Sequence, residues 1–209
     1  MSHQIKKSFI GLGNIGSPIA RKIGTNNVLQ TWDACELTRK KFKNEIKVSN
    51  SNFKSINYEY LNFDNIDTIF TCLPNSKTVE QVYEELEGKI KPGSIWVDLT
   101  SGNPEQTIKM NNKLRENNIY FVDCAVSGGP AGAEKATLTT MIGCENEETL
   151  ETIKPYLETF SNNIIHVGKP GSGHAVKAIN NALLAINLWS SSEAISTLVK
   201  FGITPEKAL

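Results

Sequence analysis

The stretch Gly11-Leu12-Gly13-Asn14-Ile15-Gly16 constrains this chain more than any other. It follows Ser8-Phe9-Ile10, an apolar run that reads as a buried strand. It precedes Ser17-Pro18-Ile19-Ala20-Arg21-Lys22-Ile23, which reads as a helix with Pro18 tolerated in the first turn. A strand, a G-x-G-x-x-G turn and a helix form the pyrophosphate-binding element of dinucleotide folds. Gly11 permits the tight turn, Gly13 lets the backbone approach the pyrophosphate, and Gly16 lets the helix pack close to the strand. The helix N-terminus offers N–H groups and partial positive charge to the phosphates, so Leu12, Asn14 and Ile15 belong to the same candidate segment. A tight strand–helix turn without a ligand is the plainer alternative for this motif alone.

Val28-Leu29-Gln30-Thr31-Trp32 reads as the second strand, ending at Asp33. A carboxylate at this spacing accepts hydrogen bonds from the adenosine ribose 2′-OH and repels a 2′-phosphate. Ala34 follows it rather than an arginine, which favours NAD over NADP, although Arg39 and Lys40 lie within reach of a phosphate. Asp33 also suits the N-cap of the helix through Leu37 and Phe42.

Downstream, the Asn-rich residues 44–65 read as irregular with one short strand near Ile46–Ser49. Asp67 to Leu73 is a strand broken by Pro74-Asn75-Ser76, a loop at the strand edge where doubly wound sheets bind ligands. Val79–Leu86 is helical, Ser94–Asp98 a strand, Pro104–Asn117 a helix and Ile119–Asp123 a strand. Thr137–Ile142 and Asn163–Val167 are further strands flanking a helix from Glu147 to Phe160. This alternation predicts an α/β fold with a mainly parallel, doubly wound sheet covered on both faces. Cys124 to Ala133 contains three glycines and reads as a loop whose N–H groups, with Ser127, are suited to wrapping an anion; an ordinary connection is the alternative.

Lys+Arg and Asp+Glu each total 22, so there is no basic field for nucleic acid or an anionic membrane. Cys35, Cys72, Cys124 and Cys144 show no C-x-x-C spacing, and the three histidines make no ligand set, so reduced thiols and no metal site are expected. With the first strand starting near Lys7, no signal peptide is expected, nor any apolar run long enough to span a bilayer. The expected compartment is the cytoplasm.

Gly168 to Gly173 punctuates the chain before a long helical run from His174 to about Phe201. Lys177 and Asn181 stand at i and i+4 on one face of that run, among small and apolar neighbours. Desolvation there lowers an ammonium pKa, which suits proton exchange with a developing alkoxide. A lysine on an exposed helix face is the alternative.

Four stretches together resemble the β-hydroxyacid dehydrogenase family, within it the 3-hydroxyisobutyrate dehydrogenases and related semialdehyde reductases. They are Gly11–Gly16, the Thr71-to-Ser76 loop, Asp123-Cys124-Ala125-Val126-Ser127-Gly128-Gly129 and Gly171-Ser172-Gly173-His174-Ala175-Val176-Lys177-Ala178-Ile179-Asn180-Asn181. The resemblance implies hydride transfer between NAD(P) and a small 3-hydroxy acid or its semialdehyde. It implies Lys177 as general acid/base, with Asn181 orienting substrate and Ser127, Gly128 and Gly129 holding its carboxylate. It also implies Ser101 near the nicotinamide, and Leu73 and Pro74 beside the cofactor. Cys124 and Ala136 depart from the proline and glycine usual in such proteins.

The expected organisation is a dinucleotide-binding α/β domain over residues 1–168. Residues 169–209 would be a long interdomain helix and the start of an all-helical domain, with Thr204-Pro205-Glu206 opening a new helix. The long helix is apolar nearly all round, including Ile186, Leu188, Trp189, Ile195, Leu198 and Val199, and therefore requires cover. A truncated helical domain or a homo-oligomer would supply it. The rival to catalysis is a non-catalytic dinucleotide-binding module or an inactive fragment.

Overall fold

The computed structural model describes residues 6–27, 29–48, 63 and 65–208. Its seven strands are β1 (Lys7–Ile10), β2 (Leu29–Trp32), β3 (Thr68–Thr71), β4 (Ile95–Asp98), β5 (Tyr120–Ser127), β6 (Leu138–Gly143) and β7 (Ser161–Gly168). They form one sheet in the order β2-β1-β3-β4-β5-β6-β7. Every neighbouring pair is parallel except β5–β6, which is antiparallel. The helices are α1 (Gly16–Gly24), α2 (Glu36–Val48), α3 (Ser76–Leu86), α4 (Pro104–Glu116), α5 (Gly129–Lys135), α6 (Glu147–Leu157), α7 (Ser172–Lys200) and α8 (Pro205–Ala208).

Strands β1 to β4 are four residues each and nearly all buried, as continuous apolar runs covered on both faces require. Alternation sends Phe9, Phe70, Val97 and Val122 into one core layer with Ile19 and Ile23 of α1, Ala133 of α5 and Leu157 of α6. Their neighbours Ile10, Ile69, Trp96 and Phe121 join Tyr83 of α3 and Met110 and Leu114 of α4 in the other. The expected doubly wound sheet is therefore present, followed by a helix of 29 residues and the first turn of another at Pro205.

Three local expectations change. Ile46 lies inside α2 rather than in a strand, because it packs one turn beyond the buried Phe42 against the same core. Ser49 and residues 50–62 and 64, read above as strand end and irregular chain, lie outside the described residues. The segment from Cys124 is not a loop: Cys124–Ser127 continues β5, and Gly129–Lys135 is α5. The antiparallel partner β6 captures those residues, pairing Cys124 with Ile142 and Ser127 with Thr139. Lastly, α7 is long and apolar enough, by length and composition, to cross a bilayer. Its asparagines, serines and Lys177 interrupt the apolar run without removing its average character. Most of α7 is exposed, with Ile179, Leu183, Leu184, Ile186, Leu188 and Trp189 at the surface.

Candidate active site

The β1–α1 turn is held between its two neighbours. Gly11 N–H donates to the Trp32 carbonyl at 2.8 Å, and Cys72 N–H donates to the Ile10 carbonyl at 2.9 Å. Gly11 has φ +100°, and a Cβ there would lie 2.2 Å from the Cys72 carbonyl oxygen. A Cβ at Gly16 would lie 2.0 Å from the Gly11 carbonyl oxygen, so α1 approaches the turn as closely as backbone allows. Gly13 differs: a Cβ there would meet nothing within 4 Å. Protein packing does not require glycine at 13, whereas close approach of a phosphate does. No side chain caps α1, whose N-cap position is Ile15.

Beside this turn opens a cleft of about 550 Å³, lined by Gly11, Gly13, Asn14, Ile15 and Gly16 together with Trp32, Asp33, Leu73 and Pro74. The structure thus brings together every residue expected at the cofactor except Leu12, whose side chain is in the core. The Leu12 N–H instead donates to Asp33 Oδ2 at 2.8 Å, while Asp33 Oδ1 accepts from Cys35 N–H at 2.8 Å. Each carboxylate oxygen retains acceptor capacity for a ribose hydroxyl. Arg39, six positions on, folds back to donate to the Asp33 carbonyl at 2.5 Å and the Ala34 carbonyl at 3.1 Å. Its guanidinium is therefore held against the Asp33-Ala34 backbone. Arg21 is occupied by Glu45 and Glu134.

The loops after β3 and β4 are stitched together. Leu73 N–H donates to Thr100 Oγ1 at 3.0 Å, and Asn103 N–H donates to Ser76 Oγ at 2.8 Å. Ser101 sits exposed between them. Because Asp98 and Asp123 are paired in register, β5 runs four residues beyond the end of β4, the last of them Ser127. Gly128 and Gly129 then take φ +130° and +64°, turning the chain into α5.

On α7, Lys177 is half-buried, and that burial pushes its ammonium pKa below the ordinary lysine value. Asn181, one turn on, is exposed. Ser101, Ser127, Lys177 and Asn181 do not line this cleft. A buried polar group that sequence reasoning missed lies under the start of this helix. Asp123 is 0% exposed; its Oδ1 accepts from Gly171 N–H at 2.7 Å and its Oδ2 from His174 N–H at 2.8 Å. The His174 ring is also fully buried, with Nδ1 2.6 Å from Thr107 Oγ1 and Nε2 3.9 Å from Asp98 Oδ2. One available signal was the acid that follows the apolar residues Phe121-Val122 and precedes Cys124-Ala125-Val126, since an acid in such a run demands buried partners.

Residues 6–168 match the family model for the NAD binding domain of 6-phosphogluconate dehydrogenase, and residues 171–209 match that for NAD-binding of NADP-dependent 3-hydroxyisobutyrate dehydrogenase. The chain belongs to the β-hydroxyacid dehydrogenase family. It is 38% identical to a 2-(hydroxymethyl)glutarate dehydrogenase of Eubacterium barkeri, over 99% of this chain and 67% of that protein. It is 34% identical to a probable mitochondrial 3-hydroxyisobutyrate dehydrogenase of Dictyostelium discoideum, over 95% of this chain and 61% of that one. A solved structure of Mycobacterium tuberculosis 3-hydroxyisobutyrate dehydrogenase with L-serine superposes with a TM-score of 0.86 at 25% identity, covering 98% of this chain and 68% of that chain. This family member therefore spans roughly two thirds of the length of such relatives, and it carries the family's NAD(P)-binding fold.

Proposed function

We propose that this protein transfers a hydride between NAD(P) and a small 3-hydroxy acid or its semialdehyde. The observation that carries the reading is a half-buried lysine with a depressed pKa on α7, in a chain whose β1–α1 turn leaves the Gly13 position open. The cleft's residues fit a dinucleotide. The Gly13–Gly16 turn and the α1 N-terminus would hold its pyrophosphate, Asp33 its ribose hydroxyls, and Leu73 and Pro74 would pack beside it. When bound, that cofactor supplies the hydride acceptor or donor.

The chain's own residues do the rest. Ser127 Oγ and the N–H groups of Gly128 and Gly129 bind the substrate carboxylate, so binding energy orients the reacting carbon. Lys177 Nζ takes the hydroxyl proton during oxidation and returns it during reduction, an exchange that the lowering of its pKa by burial favours. Asn181 orients the hydroxyl, and Ser101 contributes from the β4–α4 loop. The relatives named for 3-hydroxyisobutyrate and 2-(hydroxymethyl)glutarate support a substrate with a primary alcohol one carbon removed from the carboxylate-bearing carbon. Residues 1–168 form the cofactor unit in this reading and residues 169–209 the helical segment that delivers Lys177. The exposed apolar face of α7 supports a homo-oligomer, and four free thiols support a reducing compartment such as the cytoplasm.

A second reading, a non-catalytic dinucleotide-binding module, is favoured by one fact: the expected substrate residues lie outside the cofactor cleft. Titration with NAD and NADP, alongside reduced-nicotinamide production from a panel of small hydroxy acids, separates the two. Lys177→Ala is expected to leave cofactor Kd within about twofold and to lower kcat by about a hundredfold or more. An alanine variant as active as wild type refutes the assignment, and tight binding without turnover selects the module.

A further inference from the structure

We propose that Asp123 is the positioning residue that fixes Lys177 relative to the Ser127 loop, by tying the first turn of α7 to β5 through a single buried carboxylate. The inference rests on the reading of Lys177 and Ser127 given above.

Three observations carry it. The first is the capping pattern. Helices α3, α4 and α6 begin on Asn75, Asn103 and Asn146, whose side chains accept from their own first-turn N–H groups. Gly171, at the N-cap of α7, has no side chain to do this, and its helix is capped from a strand 48 and 51 residues away in sequence. A local asparagine would stabilise the helix as well, by about 1 kcal/mol, but would leave it free to shift on the sheet. A carboxylate borne on β5 fixes helix and strand together.

The second is that space has been cleared for this contact. A Cβ on Gly143 would lie 2.2 Å from Asp123 Oδ1, and a Cβ on Gly173 would lie 2.9 Å from Oδ2 and 2.5 Å from the Met141 carbonyl oxygen. Two glycines therefore enclose one carboxylate and let α7 rest on the strand backbone. The third is where the two ends lead. Asp123 and Ser127 are four residues apart on the same face of β5, about 13 Å along the strand. His174 and Lys177 are three apart on α7, a rise of about 4.5 Å. Asp123 is thus the junction between the element bearing the carboxylate-binding serine and the one bearing the proton-transfer lysine.

The test uses the 209-residue chain, wild type and Asp123→Asn. Asparagine keeps the shape and one acceptor but sets an NH₂ against the other amide. Amide exchange by NMR is expected to show Gly171 and His174 strongly protected in wild type and at least about tenfold faster in the variant. Titration of the Lys177 side chain by NMR is expected to move up toward the ordinary lysine value in D123N, while NAD Kd stays within about twofold. With a substrate that wild type turns over, kcat is expected to fall about tenfold or more with little change in KM, as for a misplaced group. Unprotected wild-type amides overturn the proposal. So does a D123N protein whose Lys177 titration and kcat match wild type, because a capping role confined to stability would leave both unmoved. Gly143→Ala, whose Cβ would press on Asp123 Oδ1 and on the Lys169 carbonyl oxygen, keeps the carboxylate but crowds the same junction; it is expected to give the same signature and replaces D123N should that variant not fold. Absence of turnover in wild type would overturn the enzymatic reading, while the two NMR measurements still decide the clamp.

Discussion

The second and third glycines of the β1–α1 turn are chemically identical and structurally opposite, and that contrast can be measured. At Gly16 an added Cβ would sit 2.0 Å from the Gly11 carbonyl oxygen. Relief requires α1 to withdraw by roughly 1.5 Å to reach an ordinary separation of about 3.5 Å. Overpacking of this kind costs about 1–3 kcal/mol, and the rigidity of the two backbones involved places it near 3. For a chain of this size that lowers Tm by roughly 6–12 °C. At Gly13 the same methyl meets nothing and replaces a flexible residue, so stability is expected to hold or rise by up to about 1 kcal/mol. What Gly13→Ala obstructs is the approach of phosphate. Loss of one charge-assisted hydrogen bond, about 1.5–3 kcal/mol, weakens NAD binding by roughly 10- to 150-fold. Thermal melting by circular dichroism and calorimetric titration with NAD read the two quantities separately. A Gly13→Ala protein that binds NAD like wild type, or melts as early as Gly16→Ala, would refute the argument that this turn is open for a cofactor.

Burial lowers the Lys177 pKa, so hydroxy-acid oxidation, which needs neutral lysine, is expected to rise with pH through a midpoint below about 10.4. Aldehyde reduction, which needs the ammonium, is expected to fall over the same range; parallel pH–kcat profiles in the two directions would contradict this. Asp33→Ala removes the acceptor for both Leu12 and Cys35 N–H and the anion that repels a 2′-phosphate. NAD affinity is expected to drop about tenfold and NADP affinity by less, and equal losses in a calorimetric comparison would exclude a ribose contact. Ala136 ends α5 in the left-handed region at φ +57°, which costs an L-residue about 1 kcal/mol. Ala136→Gly is therefore expected to raise Tm by roughly 2–4 °C, read by the same melting curves. Burial raises the Asp123 pKa despite its two amide donors and the nearby His174. The folded state then holds the proton at pH values where the unfolded chain, titrating near 3.9, has lost it. Wild-type stability accordingly falls, relative to Asp123→Asn, as pH rises from about 4 through the folded-state pKa. A difference in Tm that grows in wild type's favour over that range would show the sign to be wrong.

Most of the sheet was legible because each parallel strand is a short apolar run between glycine, proline or asparagine signals. The failures share a cause. Ile46 was misread because α2 has low overall apolarity and, among its described side chains, Phe42 and Ile46 are the ones in the core, too sparse a pattern to show its period. The Cys124–Ser127 strand was misread because its partner β6 arrives later in the chain and from the opposite direction. Small residues between Cys124 and Ala133 described the flexibility of an isolated segment, and tertiary pairing overrode it.

The site divides along the same line, and helix termini show why. A helix whose N-terminus is finished locally announces itself: Asn75, Asn103 with Pro104, and Asn146 all precede predicted helices. At α1 and α7 the N-cap positions are Ile15 and Gly171, which satisfy none of the first-turn amides with a side chain of their own. A buried terminus cannot leave those amides unmatched, so a missing cap means that the partner lies elsewhere. For α1, whose terminus opens on the cleft, the glycine spacing predicts a phosphate as that partner, because the motif is local. For α7 the partner is Asp123, and only the fold brings residues 123, 171 and 174 together. The uncapped glycine before Lys177 therefore already implied a distant acceptor, and the buried acid in β5 already implied distant donors. Each was half of one contact, and the sheet order joins them.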